Sequence, residues 1–356
     1  MDEMVIQSYR GPYIVRFGSP FAGIESGLAA NEHLIIDDRV AKLYAGVLTR
    51  ALAGHSVLRM EATEANKSLE RFPVYVQHLL DHGVRRDHTL VAVGGGIIQD
   101  ITAFIATMLL RGLPWRYYPT TLLAQADSCI GSKSSVNIGR YKNQLGTFTP
   151  PDAIVISNDV LNTLDETDLR SGIGEMIKVH IISGWDDTHA IAADYRKILR
   201  HKQLMRYYIR RSLEIKKAII EIDEFDRNER LVMNYGHSFG HALESATDYA
   251  IPHGIAVTLG MDMANYVSFR FGLTGRAVYD ELHEILALNY AGFEKTLIPE
   301  DKYFDALAKD KKNVGGYVSL ILMRGPGQVF RDRYPNDERL RSICKEYFGT
   351  LHGRSV

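Results

Sequence analysis

A doubly wound α/β domain over residues 1–160, followed by a mostly α-helical domain over residues 161–356, is the fold class the sequence predicts. Three observations predict it. Short apolar runs alternate with amphipathic stretches through the first half, the pattern of a mostly parallel sheet with helical crossovers. From about Thr167 onward the apolar residues recur at helical period instead. The chain has 356 residues, enough for two cores.

Taken in order, EHLIIDD, HSVLRME, HTLVAVGGG, PWRYYPTT and DAIVISND each read as a buried strand of four to seven residues. Between them, DRVAKLYAGVLTRALAG and SLERFPVYVQHLLDHG read as helices. The character changes near SNDVLNTLDETD. After it, TDLRSGIGEMIKVHIISG, QLMRYYIRRSLEIKKAIIEID, ERLVMNYGHSFGHALESATDY and HGIAVTLGMDMANYVSFRFG all fit helices, and GGYVSLILM is the next β-like run. There is no repeat, low-complexity tract or long linker, so the domains are expected to pack with a cleft between them.

Composition narrows the function. Apolar residues make up 46% and charged residues 24%, as in ordinary globular proteins. A formal net charge of −1 excludes a global field attracting nucleic acid or an anionic membrane. The two cysteines, Cys129 and Cys344, form no metal knuckle or disulfide framework and fit a reducing compartment. The N-terminal MDEMVIQSYRGPY lacks the apolar core of a signal peptide, and no run of 18 apolar residues occurs. A cytoplasmic enzyme that spans no membrane is expected.

Four segments carry chemistry. In LVAVGGGIIQDITAFIA, a strand enters Gly94, Gly95 and Gly96 and then a helix, which suits backbone N–H groups approaching a pyrophosphate. The spacing is not GxGxxG, and a purely structural turn reads equally well. The loop YPTTLLAQADSCIGSKSSVNIGRYKNQLGTF gathers Thr120, Thr121, Asp127, Lys133, Asn137, Lys142 and Asn143, with Arg111 upstream. These could clamp a phosphate through charge-assisted hydrogen bonds or could be a solvated loop. In GIGEMIKV, Glu175 and Lys178 share one helical face among apolar residues, either as a surface ion pair or as a buried carboxylate that needs a partner. In NYGHSFGHALESATDYAIPHG, His237 and His241 stand four apart, with His253 beyond and Asn234 and Glu244 nearby. The spacing alone makes all three histidines zinc-ligand candidates. Lys216, Arg230, Lys311 and Lys312 add cations, suiting a small, multiply anionic substrate beside a divalent metal.

Together these segments resemble the sugar phosphate cyclases, most closely the 3-dehydroquinate synthase family, from about Ile35 to about Met323. GGGIIQD, PTTLLAQADS, GSKSSVN, GIGEMIK, NYGHSFGHA and HGIAV occur in the family's order and at about its spacing. The resemblance implies a Rossmann-like nucleotide-binding α/β domain followed by a mostly helical metal-binding domain. It implies a homodimeric cyclase that uses NAD and Zn2+, with Co2+ as the alternative metal, in the shikimate pathway of aromatic amino acid biosynthesis. Its substrate would be 3-deoxy-D-arabino-heptulosonate 7-phosphate, and its products 3-dehydroquinate and phosphate. The metal ligands carried over are Glu175, His237 and His253. His241 would instead attend the substrate phosphate, with Lys133, Asn143, Arg111, Asn234 and Lys311 or Lys312. Lys216 and Arg230 would face the substrate carboxylate, and Lys178 and Asp127 the reacting carbons and the nicotinamide. The cofactor set would be Asp37, Glu64, Lys67, Gly94, Gly95, Gly96, Asp100, Thr120, Thr121, Leu123, Asp127, Ser128, Lys142, Asn143, Thr163, Leu164 and Asp168.

Four positions depart from the family's usual pattern: Gln99 and Ser132 stand where glycine is usual, Ile255 where a carboxylate is usual, and Asp168 where glutamate is usual. These keep open a paralogue acting on sedoheptulose 7-phosphate, glucose 6-phosphate or an aminated heptulosonate. The pair Lys216 and Arg230 favours a substrate with a carboxylate. An NAD-dependent glycerol-dehydrogenase type would need no phosphate cage, and a silent nucleotide-binding protein would need no metal set.

Overall fold

The computed structural model describes residues 2–139, 141–309 and 315–351. It divides into two compact units, Met1–Asp165 with Lys216–Asp226, and Glu166–Ile215 with Arg227–Val356. The excursion Lys216–Asp226 lies with the first unit, which a linear division at residue 160 does not contain.

The first unit is built on strands β1 (Asp2–Ile6), β2 (Tyr13–Phe17), β3 (Glu32–Asp37), β4 (Val57–Met60), β5 (Thr89–Gly94), β6 (Trp115–Pro119), β7 (Val136–Ile138), β8 (Tyr141–Leu145) and β9 (Ala153–Ile156). Its helices are α1 (Asp38–Leu43), α2 (Thr49–Leu52), α3 (Phe72–Asp81) and α4 (Gly96–Met108). Seven strands form one sheet in the order β1-β2-β9-β6-β5-β3-β4. Only β1 and β2 pair antiparallel; the remaining neighbours are parallel. All five sequence-predicted strands lie in this sheet. β5 and β9 are buried almost throughout, as parallel strands covered on both faces must be. Strand order reverses between β3 and β5: the chain leaves β3 toward β4 and leaves β5 toward β6. Ligands of open α/β sheets bind at such a switch, beyond the strands' C-terminal ends, where Asp37 and Gly94–Gly96 lie.

Two expectations need correction. DRVAKLYAGVLTRALAG is not one helix: α1 and α2 are separated by a turn at residues 44–48 that contains Gly46, a poor helix former. The 229–249 stretch is also broken. A 3₁₀ turn over Glu229–Asn234 stops at Tyr235, and Gly236 takes a left-handed φ of 78° before the next helix starts.

The second unit holds α5 (Glu166–Ser183), α6 (Trp185–Ile198), α7 (Lys202–Ile220, its last turn in the first unit), α8 (His237–Ala246), α9 (His253–Arg270), α10 (Arg276–Tyr290), α11 (Glu300–Ala308) and α12 (Glu338–Leu351). A hairpin, β10 (Tyr317–Met323) and β11 (Val329–Pro335), completes it. α9 is buried from Gly254 to Ser268, so it is the core helix around which α5, α8 and α10 pack. Among the described residues, no helix is long and apolar enough to cross a membrane.

Candidate metal centre and nucleotide site

Three helices of the second unit bring the metal candidates together: α5 carries Glu175, α8 carries His237 and His241, and α9 begins with His253. Glycines set this convergence. A Cβ at Gly174 would fall on the Gly254 carbonyl oxygen, and one at Gly254 on that of Ser171. A Cβ at Gly260 would fall on the Gly236 carbonyl oxygen, and one at Gly240 would come within 2.9 Å of the Ala256 oxygen. Only bare backbone permits these approaches. Each candidate ligand has a glycine beside it in the chain.

Oε1 of Glu175 lies 3.5 Å from Nε2 of His237 and 3.4 Å from Nε2 of His253. Donors of a tetrahedral zinc ion at its usual bond lengths stand about 3.4 Å apart, so this set fits a zinc-sized ion. The other ring nitrogens agree. His237 Nδ1 is 3.2 Å from the Tyr235 carbonyl oxygen, and His253 Nδ1 is 3.2 Å from Glu244 Oε2. Both contacts make Nδ1 the protonated nitrogen and offer Nε2 as a ligand. Burial, reinforced by Lys178 and the two other imidazoles, holds His237 well below the ordinary histidine range. Burial pulls His253 the same way, but hydrogen bonds to Glu175 and Glu244 outweigh it and raise the group to about 10.

Lys178 donates to Oε2 of Glu175, and both side chains are 2% exposed. The i,i+3 pair is therefore real but buried, not a surface pair. His241 joins the same cluster: its ring lies 5.3 Å from that of His237 and 5.7 Å from that of His253. Nitrogens of all three imidazoles lie within 4.8 Å of one another. Distance alone thus leaves His241 a possible fourth ligand. Also in this unit, Arg230 is buried and Asn234 donates to the Leu231 carbonyl.

The first unit holds the nucleotide candidates. α4 starts at Gly96 behind Gly95, and no side chain caps it, so its first N–H groups suit an anion. A Cβ on Gly95 would come within 2.9 Å of Thr121, whereas one on Gly96 would meet nothing closer than Ser128 Oγ at 3.9 Å. Asp37 closes β3 and caps α1 by accepting from the Arg39 N–H; burial raises its pKa. Lys67 Nζ reaches Asp100 Oδ2 at 3.1 Å, Asn143 Oδ1 at 3.0 Å and Glu64 Oε1 at 3.5 Å. Asp100 is also bound by the N–H and hydroxyl of Ser135, and burial raises its pKa despite Lys67. Gln99 and Ser128 exchange hydrogen bonds, both of 2.7 Å. Tyr44 links to Thr163 at 3.2 Å, and Leu164 follows at the end of that turn. Lys142 and Asp168 are exposed.

The phosphate candidates of the first unit are held by neighbouring side chains. Lys133 pairs with Asp226 at 2.5 Å, while Asn143 joins the Lys67 network. Arg111 is exposed with φ 67°. Ser132, where glycine is usual, has the glycine-favoured φ of 65°, and its hydroxyl donates to Glu224. Glu224 also accepts from Ser8 at 2.6 Å and from the Tyr9 N–H at 2.8 Å. Lys216 Nζ meets Asp127 twice, at the carbonyl oxygen (2.6 Å) and at Oδ1 (2.7 Å), on the π-helical turn Ala124–Ser128 that Leu123 precedes. Lys311 and Lys312 lie outside the described residues. The sequence reading overlooked Asp226, Glu224 and the Gln99–Ser128 pair. For Glu244 a signal existed, because it continues the His237–His241 stripe by three residues.

Comparison with known proteins places this geometry. Two family models match in series, 3-dehydroquinate synthase N-terminal over residues 57–171 and 3-dehydroquinate synthase C-terminal over residues 172–313. A 3-dehydroquinate synthase of Alkaliphilus metalliredigens is 34% identical over 341 residues, 92% of this chain and 94% of that protein. The solved 2-epi-5-epi-valiolone synthase of Streptomyces hygroscopicus subsp. jinggangensis, with NAD+ and Zn2+ bound, matches with a TM-score of 0.80 at 27% identity, covering 96% of this chain and 97% of that one. A 2-deoxy-scyllo-inosose synthase complexed with carbaglucose-6-phosphate, NAD+ and Co2+ matches with a TM-score of 0.82 at 21% identity, covering 97% and 100%. At that identity it bears on the fold alone.

Proposed function

The chain belongs to the 3-dehydroquinate synthase family, enzymes of the sugar phosphate cyclase type, and on that premise we propose that it converts 3-deoxy-D-arabino-heptulosonate 7-phosphate to 3-dehydroquinate and phosphate. NAD+ and Zn2+, or Co2+, are its cofactors in this reading, and the shikimate pathway its setting. One observation carries it: Oε1 of Glu175 faces Nε2 of both His237 and His253 at 3.5 and 3.4 Å.

Glu175, His237 and His253 are the residues that would hold the metal. When bound, the metal would supply Lewis acidity and NAD+ reversible hydride acceptance. Lys178 neutralises the second oxygen of Glu175. The uncapped start of α4 would hold the pyrophosphate, and Asp37, at the end of β3, would accept from ribose hydroxyls. Lys133, Arg111, Asn143, Asn234, His241 and a lysine at 311 or 312 orient the substrate phosphate. An oxygen of that phosphate can then take the neighbouring C–H proton as it leaves, so no separate protein base is needed. Asp127, itself near the reacting carbons in this reading, keeps the Lys216 ammonium in place for the substrate carboxylate.

Lys216 and Arg230 match the family positions that face the substrate carboxylate, and having both supports a substrate that carries one. Ser132 and Ile255 favour, as the second reading, a paralogous cyclase of secondary metabolism acting on sedoheptulose 7-phosphate, glucose 6-phosphate or an aminated heptulosonate. Phosphate release from each sugar phosphate, with Zn2+ and NAD+ present, tests the two. Release only from sedoheptulose 7-phosphate or glucose 6-phosphate overturns the dehydroquinate reading. Steady accumulation of NADH would instead identify a glycerol-dehydrogenase-like oxidoreductase. The family resemblance supports a homodimer, which light scattering would test. The two buried free cysteines support a cytoplasmic location.

A further inference from the structure

We propose that Glu244 is a positioning residue of the metal centre, fixing His253 and making it the stronger of the two imidazole donors. This inference rests on the metal reading above. It does not depend on which sugar phosphate is the substrate.

The argument begins with helix geometry. His237, His241 and Glu244 stand at i, i+4 and i+7 on α8, so they form one stripe along its face. His253 opens α9, which packs against that face through Gly240 and Gly260. Glu244 thereby reaches His253 from the side opposite Glu175: Oε2 accepts from Nδ1 at 3.2 Å, while Nε2 points to Glu175. The Glu244 side chain is only 12% exposed. Ile255, two residues after His253 in the chain, is apolar and fully buried and cannot share the task.

The two imidazoles are held differently. His237 Nδ1 donates to a backbone carbonyl, a neutral acceptor that mutation cannot remove. His253 Nδ1 donates to a carboxylate. An anion behind an imidazole fixes its tautomer, restrains its rotation and raises the basicity of the nitrogen that ligates. The centre is thus asymmetric, with a carboxylate–imidazole pair on one arm and a carbonyl–imidazole pair on the other.

The test measures metal binding without substrate. Co2+ affinity is determined by chelator competition, with the visible absorption bands of bound Co2+ as a second readout. Wild type is compared with Glu244→Ala, the near-isosteric Glu244→Gln and Glu175→Gln. Glu244→Ala is expected to bind Co2+ roughly 10- to 100-fold more weakly and to shift the bands, with circular dichroism unchanged. Glu244→Gln, which can still accept from Nδ1 without charge, is expected to fall between wild type and Glu244→Ala. If both Glu244 variants bind within twofold of wild type with the same bands, while Glu175→Gln loses the metal, the proposal is overturned and the metal reading stands. If Glu175→Gln keeps full affinity, the metal reading fails and this proposal with it.

Discussion

Glu175 on α5 meets His253 on α9 at 3.4 Å because their chain neighbours, Gly174 and Gly254, let the two helices touch backbone to backbone. Replacing Gly254 with alanine puts a methyl group on the Ser171 carbonyl oxygen, where no flexible side chain can yield. We expect Gly254→Ala to cost about 3 kcal/mol and to lower Tm by roughly 6–12 °C. Calorimetry of the metal-free protein checks this. An unchanged Tm would show that the helices can part without cost.

The ligand assignment separates two histidines whose rings lie only 5.3 Å apart. His237→Ala should lose bound zinc by metal analysis, whereas His241→Ala should keep zinc and lose phosphate release. Equal zinc loss in both would make His241 a ligand.

Lys216 and Asp127 form a largely buried pair, 7% and 14% exposed. Removing one partner strands the other charge. Asp127→Leu should therefore destabilise the protein by about 3 kcal/mol in urea unfolding, and Lys216→Met combined with Asp127→Leu should recover part of that loss. A double variant no more stable than the single one would rule out pairing as the cause.

A second histidine group sits at the other end of the sheet from Gly94–Gly96. His33, fully buried at the start of β3, shares Nδ1 with Ser56 at 2.8 Å and Nε2 with His88 at 2.9 Å. Burial, then the nearby His55 and His88, lower its pKa from 6.5 to about 4. The unfolded chain takes up this proton at higher pH than the folded one. The stability from neutral His33 is thus complete above 6.5 and drains as pH falls toward about 4. Thermal unfolding should show Tm dropping across that window, and dropping less in His33→Gln. Parallel curves for the two proteins would assign the acid sensitivity elsewhere.

Much of this was legible in the residues. The five apolar runs all became strands because parallel strands buried on both faces leave an unbroken apolar signature. The candidate ligands were legible only through the resemblance: spacing alone paired His237 with His241, since i,i+4 is visible in one segment and Glu175 lies 62 residues before His237. The break at Gly236 was hidden because helical periodicity continues across it, and the crowding by Val257 and Met261 that demands glycine there is tertiary. Asn143 and Lys133 read as one phosphate clamp because they share a loop. What the loop does not disclose is their partners, Lys67 for Asn143 and Asp226 for Lys133, supplied by segments some 75 and 90 residues away.

The glycine seams among α5, α8 and α9 bear on how this centre could decay over evolutionary time. A ligand such as the half-exposed His253 can drift to another residue at little cost beyond the reaction, while Gly174, Gly254 and Gly260 cannot acquire a side chain without prising the core apart. A descendant that had abandoned catalysis would therefore keep these glycines longer than its ligands. Silent relatives of this enzyme would be found by their glycines.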